Sequence, residues 1–142
     1  MPRKRSGLIY ENEKTLNDER KGISLAAEKW GAKPVKLPRK YSIDFAMVKD
    51  GGVKAWVEFK KRTNPIMQYP SYMVSLFKYM NLVSMSEKTG AVGMFVVQWT
   101  DCIGYVTVPV KHDVIFSGRQ DRGDWEDMEP MVSIPIDAFK LL

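Results

Sequence analysis

The spacing of apolar and polar residues in the first half of the chain predicts one helix followed by a β-hairpin. Apolar side chains recur at helical intervals over residues 16–30, and Gly31 ends that segment. Over residues 41–48 and 53–60 every second side chain is apolar, which predicts two half-buried strands whose apolar faces consist of Tyr41, Ile43, Phe45 and Met47 and of Val53, Ala55, Val57 and Phe59. The Asp-Gly-Gly sequence at 50–52 is a turn signal that joins them into a hairpin.

The second half predicts a further helix and more strands. The helix is expected over residues 70–89, and strands over 91–99, 105–110 and 132–139. The apolar stripe of the helix consists of Met73, Phe77, Met80 and Val83. The order helix, hairpin, helix, strand favours an α/β or α+β domain with a mixed central sheet, and of these we adopt the α/β fold, with helices flanking the sheet.

The length and cysteine content place further bounds on the chain. Its 142 residues suit one domain, in which we expect a flexible basic arm over 1–14, a core over about 16–110 and a C-terminal extension over 111–142. The single cysteine and the lack of a signal peptide or membrane segment lead us to expect a reducing cytoplasm.

Positive charge is concentrated in one stretch of the sequence. Residues 33–62 contain nine basic and three acidic side chains, a local net charge of +6. Such a stretch attracts polyanions, of which nucleic acid is the most common. Charge alone is equally consistent with an ordinary solvated surface.

The polar face of the predicted hairpin carries candidate catalytic residues. Glu58 and Lys60 are two positions apart, so both side chains project from the same face of one strand. If residues 50–52 form a three-residue loop, Asp44 lies opposite Glu58, with Cβ atoms roughly 4.5–5.5 Å apart. A two-residue loop would instead pair Asp44 with Val57 and separate the two carboxylates.

Two carboxylates at this separation repel each other unless a cation lies between them. Their hard oxygen atoms suit Mg²⁺, with Mn²⁺ as the alternative, and such an ion activates a phosphodiester for hydrolysis. Lys60 would position the attacking water or stabilise charge on the phosphate. The plainer interpretation is an exposed ion pair of Lys60 with Asp44 or Glu58, worth less than about 1 kcal/mol.

Asp44 followed by Glu58-Phe59-Lys60, in this order of elements, resembles the PD-(D/E)xK nuclease superfamily. The resemblance covers roughly residues 16–99, and within the superfamily the chain is similar to small Holliday-junction-resolving endonucleases and to stand-alone phage nuclease domains. It implies a restriction-endonuclease-like core and an Mg²⁺-dependent endonuclease that acts on branched or junction DNA. The usual proline before the Asp is replaced by Ile43, which leaves the chemical groups in place.

The resemblance also implies roles for individual residues. Asp44, Glu58 and the main-chain carbonyl of Phe59 would hold the metal, and Lys60 would be catalytic alongside both carboxylates. Glu19 in the first helix is the candidate for a further acidic ligand, and Glu28 is the competing candidate. Because these resolvases act as two-fold dimers, a homodimer is also implied.

Several other polar residues are candidates for binding the nucleic-acid backbone. On the predicted second helix, one face opposite the apolar stripe contains Ser71, Ser75 and Lys78. The complete set of predicted contacts is Lys61, Arg62, Gln68, Ser71, Ser75 and Lys78. Each is equally consistent with a solvent-exposed surface, and for the nearby tyrosines we favour packing over base stacking.

Other active-site types find little support in the sequence. His112 is the single histidine and Cys102 has no evident activating partner, so histidine-based metal sites and most acyl-transfer triads are disfavoured. Two alternatives to a nuclease stay open. One is an inactive nuclease-fold protein that binds nucleic acid or a protein partner, and the other is a chance match in an unrelated fold.

Overall fold

The computed structural model describes residues 13–118 and 128–142. The predicted first helix and hairpin are present, and the bounds of all helices and strands follow. They are α1 (Glu13–Lys29), β1 (Lys33–Lys36), β2 (Phe45–Lys49), β3 (Gly52–Lys61), β4 (Ser71–Ser75), α2 (Leu76–Thr89), β5 (Val92–Gln98), β6 (Ile103–Val108), β7 (Asp113–Gly118), β8 (Met128–Pro135) and β9 (Lys140–Leu141).

Two sheets are built from these strands. Within the described residues, six strands form a mixed sheet in the order β1-β2-β3-β5-β6-β9, in which β3 and β5 are parallel and the other neighbours antiparallel. The second sheet has the order β4-β8-β7 and is antiparallel. The chain between β3 and β5 contains both β4 and α2, which places that helix beside the second sheet.

The mixed sheet has an apolar cluster on each face. On one face α1 packs Ile23 and Ala26 against Val57 and Phe59 of β3. Gly22 permits this approach, because a Cβ atom at that position would meet the Phe59 ring. On the other face α2 and the second sheet cover β5 and β6, with Leu82, Phe95 and Ile134 among the most deeply buried side chains there. Buried apolar layers on both faces therefore fix the position of β3.

The hairpin turn differs from the predicted three-residue loop. Lys49 pairs with Gly52, so the loop has two residues, Asp50 and Gly51. Both have positive φ, at 53° and 77°, as a type I′ turn requires. The register then shifts by one residue between Met47 and Val48, so that Phe45 pairs with Val57. The β-bulge therefore restores, beside the carboxylates, the register that the longer loop predicted.

The predicted second helix is wrong in its first third. Residues 71–75 form β4, which pairs with β8, and the helix starts only at Leu76. Tyr72 and Val74 alternate toward the core there. The helix also has a different buried face from the predicted one, because Phe77 is 68% and Met80 is 56% exposed. Ile43, predicted to share a face with Phe45, packs in the opposite cluster.

The predicted C-terminal extension contributes strands to both sheets. β7 and β8 complete the three-stranded sheet, and β9 pairs with β6 at the edge of the mixed sheet. Residues 1–12 of the predicted basic arm lie outside the described residues, as do residues 119–127 of the polar C-terminal segment. Within the described ranges, no helix combines the length and the apolar character needed to cross a membrane.

Candidate active site

Asp44 and Glu58 are brought together where β2 begins beside β3. Asp44 directly precedes β2, and its Oδ2 atom accepts a hydrogen bond of 3.0 Å from the main-chain N–H of Phe59. The Asp44 carbonyl in turn accepts a hydrogen bond of 2.9 Å from the N–H of Leu37. These two contacts hold Asp44 between the neighbouring strands, next to the position of Glu58.

Glu58 is buried in an environment that disfavours its charged form. The residue is 6% exposed, and it is the one buried charged residue in the described part of the chain. Burial raises the pKa of Glu58 from 4.5 to about 7, the Asp44 charge adds to the rise, and Lys78 opposes it. The Glu58 carboxyl group is therefore half protonated near neutral pH unless further positive charge approaches it.

Lysine ammonium groups lie beside all three candidate carboxylates. The Lys36 Nζ atom is 3.7 Å from Oε1 of Glu19 and 3.8 Å from Oδ1 of Asp44. The Lys78 Nζ atom is 3.5 Å from Oε2 of Glu58. Although Glu19 lies in α1 and Asp44 directly before β2, both carboxylates lie beside the same ammonium group of Lys36. Glu28, the competing candidate, is exposed and lies outside the residues that line this site.

The carboxylates open into a cleft of about 370 Å³. Glu58 and Lys60 near the end of β3 and Arg62 directly after it occupy alternate positions, and all three line this cleft. Lys60 is exposed there, so its ammonium group is accessible to a substrate. A smaller cleft of about 250 Å³ also has Asp44 and Glu58 in its lining and is lined partly by basic residues. The two carboxylates are thus shared by two open clefts.

Only some of the predicted nucleic-acid contacts line the carboxylate cleft. Ser75 and Lys78 line the cleft, but Ser71 lies in β4 and lines a different cavity. The proposed helical face of Ser71, Ser75 and Lys78 therefore does not exist. Ser75 ends β4 and caps α2, because its Oγ atom accepts a hydrogen bond from the Phe77 N–H. Gln68 and Lys61 are exposed but lie outside the lining of the carboxylate cleft.

Sequence reasoning missed Lys36. Its side chain pairs with both Glu19 and Asp44, and its Nζ atom lies 5.1 Å from the centre of the Phe45 ring. The residue belongs to β1, a four-residue strand with one proline, which was not predicted. The four residues show no hydrophobic alternation from which a strand could be predicted, because the apolar Val35 is exposed in the structure and the charged Lys36 is half-buried.

The donor atoms of the site suit a hard divalent cation. Burial disfavours the ionised form of Glu58, and a bound cation would stabilise that form. Carboxylate oxygens are also the ligands that Mg²⁺ prefers. Among residues 13–118 and 128–142, however, no three His, Cys, Asp or Glu side chains converge as a complete metal site. A cation here would therefore need main-chain or water oxygens in addition to the carboxylates.

The raised pKa of Glu58 predicts a pH-dependent stability. Between about pH 4.5 and 7 the folded protein binds more protons at this residue than the unfolded chain does, so stability falls as the pH rises. The pKa difference corresponds to about 3 kcal/mol over the whole interval. In urea unfolding without metal, the stability of Glu58→Gln relative to wild type should therefore rise by about this amount between pH 4.5 and 8.

Glu87→Gln, at an exposed position in α2, is the matched control for this experiment and should follow the wild-type profile. If Glu58→Gln also follows that profile, then Glu58 does not have a raised pKa in the folded protein.

Comparisons with known proteins agree with this architecture. The sequence matches the profile of a family described as "Phage putative PDDEXK endonuclease" over residues 6–142. A comparison with curated proteins found no significant match.

Among solved structures, the fold is similar to Hjc, a Holliday junction resolvase from Archaeoglobus fulgidus, with a TM-score of 0.57. The sequence identity is 11%, and the match covers 86% of this chain and 84% of that one. The predicted restriction-endonuclease-like fold is thereby confirmed. Because the family match spans nearly the whole sequence, the chain belongs to the phage PDDEXK endonuclease family.

Proposed function

We propose that the protein is a metal-dependent endonuclease that hydrolyses phosphodiester bonds in DNA, with branched or junction DNA as the preferred substrate. The observation that carries the proposal is the buried Glu58 carboxyl group beside Asp44, in a cleft that also presents Lys60. Membership of a nuclease family supports the reaction class. The junction preference extends to this chain what the similar Archaeoglobus protein is described as resolving.

Asp44, Glu58 and the main-chain carbonyl of Phe59 are the proposed metal ligands, and Glu19 is the additional acidic ligand. Mg²⁺ is the proposed ion, with Mn²⁺ as a substitute. When bound, the ion polarises the phosphodiester and lowers the pKa of the attacking water. Asp44 is suited to its role because the Phe59 N–H already fixes one of its oxygens, which leaves Oδ1 turned toward positive charge.

Lys60 is the proposed catalytic residue for the attacking water and the developing phosphate charge. The attacking water loses a proton to solvent as its oxygen forms a bond to phosphorus, the bond from phosphorus to the leaving oxygen breaks, and the leaving oxygen takes up a proton from solvent. An ammonium group in the cleft stabilises the additional negative charge that accumulates on the phosphate during this step. The position of Lys60, two residues beyond Glu58 on one strand, gives it access to the same phosphate.

Basic and polar side chains near the cleft are proposed to bind the DNA backbone. Arg62, Ser75 and Lys78 line the cleft, whereas Lys61, Gln68 and Ser71 lie outside its lining and are proposed as further contacts. Two copies of the chain, arranged as a two-fold dimer, would cut the two strands of a symmetric junction. The phage family suggests that the protein acts in the cytoplasm of the infected bacterium.

A cleavage assay in Mg²⁺ tests the proposal, with linear duplex, single-stranded DNA, RNA and a four-way junction as substrates. We expect cutting of the junction to be fastest and to be abolished by EDTA. Asp44→Asn removes one charged ligand and should lower the rate at least about 10²-fold. Asp137→Asn, at an exposed position in the C-terminal region, is the matched control and should cut normally.

Two results would overturn the proposal. Tight binding of DNA without any cutting would instead establish a nuclease-fold protein that only binds nucleic acid. Cutting at an unchanged rate by Asp44→Asn would mean that these carboxylates are not the active site.

A further inference from the structure

A second cavity of about 370 Å³ lies next to the carboxylate cleft. It is formed by the connection between β3 and β4, together with the end of β5 and the short helical turn after β8. Its size falls within the roughly 300–1,000 Å³ typical of small-molecule pockets. The lining residues that carry the following argument are Arg62, Asn64, Tyr69, Ser71, Tyr72 and Trp99.

The walls and the mouth of this cavity differ in polarity. Trp99 and Tyr72 are buried and provide aromatic walls, with the two ring centres 6.4 Å apart. Tyr69 is 55% exposed, and its hydroxyl accepts a hydrogen bond of 3.1 Å from the Gln68 side chain. Asn64 and Ser71 add polar groups to the lining. The cavity therefore offers apolar surfaces for a flat ring and polar atoms for its edge.

Arg62 connects this cavity with the carboxylate cleft, because it lines both, as do Tyr72 and Met73. Its guanidinium lies 4.7 Å from the centre of the Tyr72 ring and donates a hydrogen bond of 3.1 Å to the Met73 carbonyl. A guanidinium has five N–H donors, more than one carbonyl can accept, so it is suited to hold a phosphate as well. An anion at Arg62 would lie between the two depressions.

We propose that this second cavity, called here the base pocket, receives one unpaired nucleobase from the DNA strand whose phosphate lies in the carboxylate cleft. The inference rests on the proposed function and narrows it. Nucleobases have apolar faces and polar edges, and proteins bind them by stacking on aromatic rings and by hydrogen bonds to the edges. Tyr69 is the residue most available for stacking, because its side chain is the exposed aromatic group of the lining.

The base pocket implies a substrate class. A base that remains paired and stacked in a duplex cannot enter a cavity beside the strand, and leaving the stack is least costly at a mismatch, a flap or a branch point. The protein should therefore prefer DNA with an unpaired or easily unpaired nucleotide next to the cut. The shared Arg62 would place the backbone phosphate while the neighbouring base occupies the pocket.

The test uses fluorescence from 2-aminopurine, which is quenched when the base stacks on a ring. A series of flapped duplexes carries this base at successive positions around the branch point, and binding to wild-type protein is measured in EDTA. We expect quenching at one position only. Tyr69→Ala should abolish that quenching and weaken binding about 5- to 150-fold, the range for one base–aromatic stack.

Three further variants distinguish loss of base stacking from a general loss of folding or DNA binding. Tyr69→Phe keeps the aromatic face and should retain the quenching. Ile66→Trp places a larger side chain in the cavity, which should exclude the base and abolish the quenching. Tyr41→Ala removes another exposed tyrosine, which lies outside the base pocket, and should behave as wild type.

The inference is overturned if quenching survives Tyr69→Ala, if the DNA does not bind, or if Tyr69→Ala weakens binding equally when the quenched nucleotide is made abasic. Because binding in EDTA requires no catalysis, the two proposals fail separately. Normal cutting without position-specific quenching would contradict only the proposed base pocket. Position-specific quenching without any cutting would contradict only the proposed nuclease reaction.

Discussion

Glu58→Gln is expected to lower the rate of DNA cleavage at least about 10³-fold, which corresponds to about 4 kcal/mol of transition-state stabilisation. Glutamine has nearly the shape of glutamate but cannot carry the negative charge that holds a divalent cation. The position is buried, with 6% exposure, so water cannot replace the lost ligand without rearrangement of the cleft. Single-turnover cleavage with excess protein measures the effect on the chemical step.

The same variant should also lose stabilisation by Mg²⁺. At pH 8 the wild-type Glu58 carboxyl group is mostly ionised and ready to bind the cation, since its pKa is about 7. A ligand at 100 times its dissociation constant stabilises the folded state by about 2.7 kcal/mol, and this increment should disappear in Glu58→Gln. Unfolding measured with and without Mg²⁺ provides a readout that does not depend on activity.

Glu28→Gln is the matched control, because Glu28 is an exposed glutamate in α1 outside the carboxylate cleft. It should cut DNA and respond to Mg²⁺ as the wild type does, and it also separates the two candidates for the acidic ligand in that helix. Retention of both activity and Mg²⁺ stabilisation by Glu58→Gln would show that the metal is held elsewhere.

The hairpin shows which part of the site could be predicted from local sequence. The alternation of residues in β3 correctly placed Glu58 and Lys60 on one face, because strand periodicity depends only on the backbone. The loop length was wrong, since Asp50 and Gly51 form the two-residue turn. The bulge that compensates for it lies at Lys54, and no sequence signal distinguishes an exposed lysine in a bulge from one in a regular strand.

The segment before α2 shows where local periodicity misleads. Met73 and Phe77 are four positions apart, as on one face of a helix, whereas Tyr72 and Val74 are two positions apart, as on one face of a strand. The sequence of residues 71–75 is therefore compatible with both structures. The strand forms because Val74 pairs with Val132 of β8, almost sixty residues later. A contact at that separation is invisible to local pattern analysis. The apparent DNA-binding face of the helix was lost for the same reason.

The ion pairs between the hairpin carboxylates and lysines of other elements could not be predicted from local sequence either. Asp44 and Glu58 could be paired because a hairpin brings them together within one motif. Lys36 and Lys78 reach the same carboxylates from β1 and α2, whose positions follow from packing on the sheet. Sequence analysis therefore found the acidic groups of the site and named Lys78 as a backbone contact, but it predicted neither Lys36 nor the ion pairs of the two lysines with the carboxylates.

Lys60→Met is expected to lower the cleavage rate about 10²- to 10³-fold, the usual effect of removing one group that stabilises transition-state charge. Methionine keeps most of the length of the side chain and removes its charge. Because Lys60 is exposed in the cleft and is not a proposed metal ligand, the Mg²⁺-dependent stabilisation should be unchanged. Loss of turnover with retained Mg²⁺ binding thus separates the role of Lys60 from that of Glu58.

Lys54→Met is the matched control, because it removes an exposed lysine from the same strand at the bulge, away from the cleft. Its rate should stay close to that of wild type, which excludes a general effect of lower positive charge. The affinity for DNA, measured in EDTA over a range of salt concentrations, decides between two roles for Lys60. If Lys60→Met weakens binding as much as it slows cleavage, and lowers the salt dependence by about one ion, then Lys60 is a backbone contact. Unchanged affinity with slow cleavage instead places its contribution in the transition state, where an accessible ammonium beside the scissile phosphate acts.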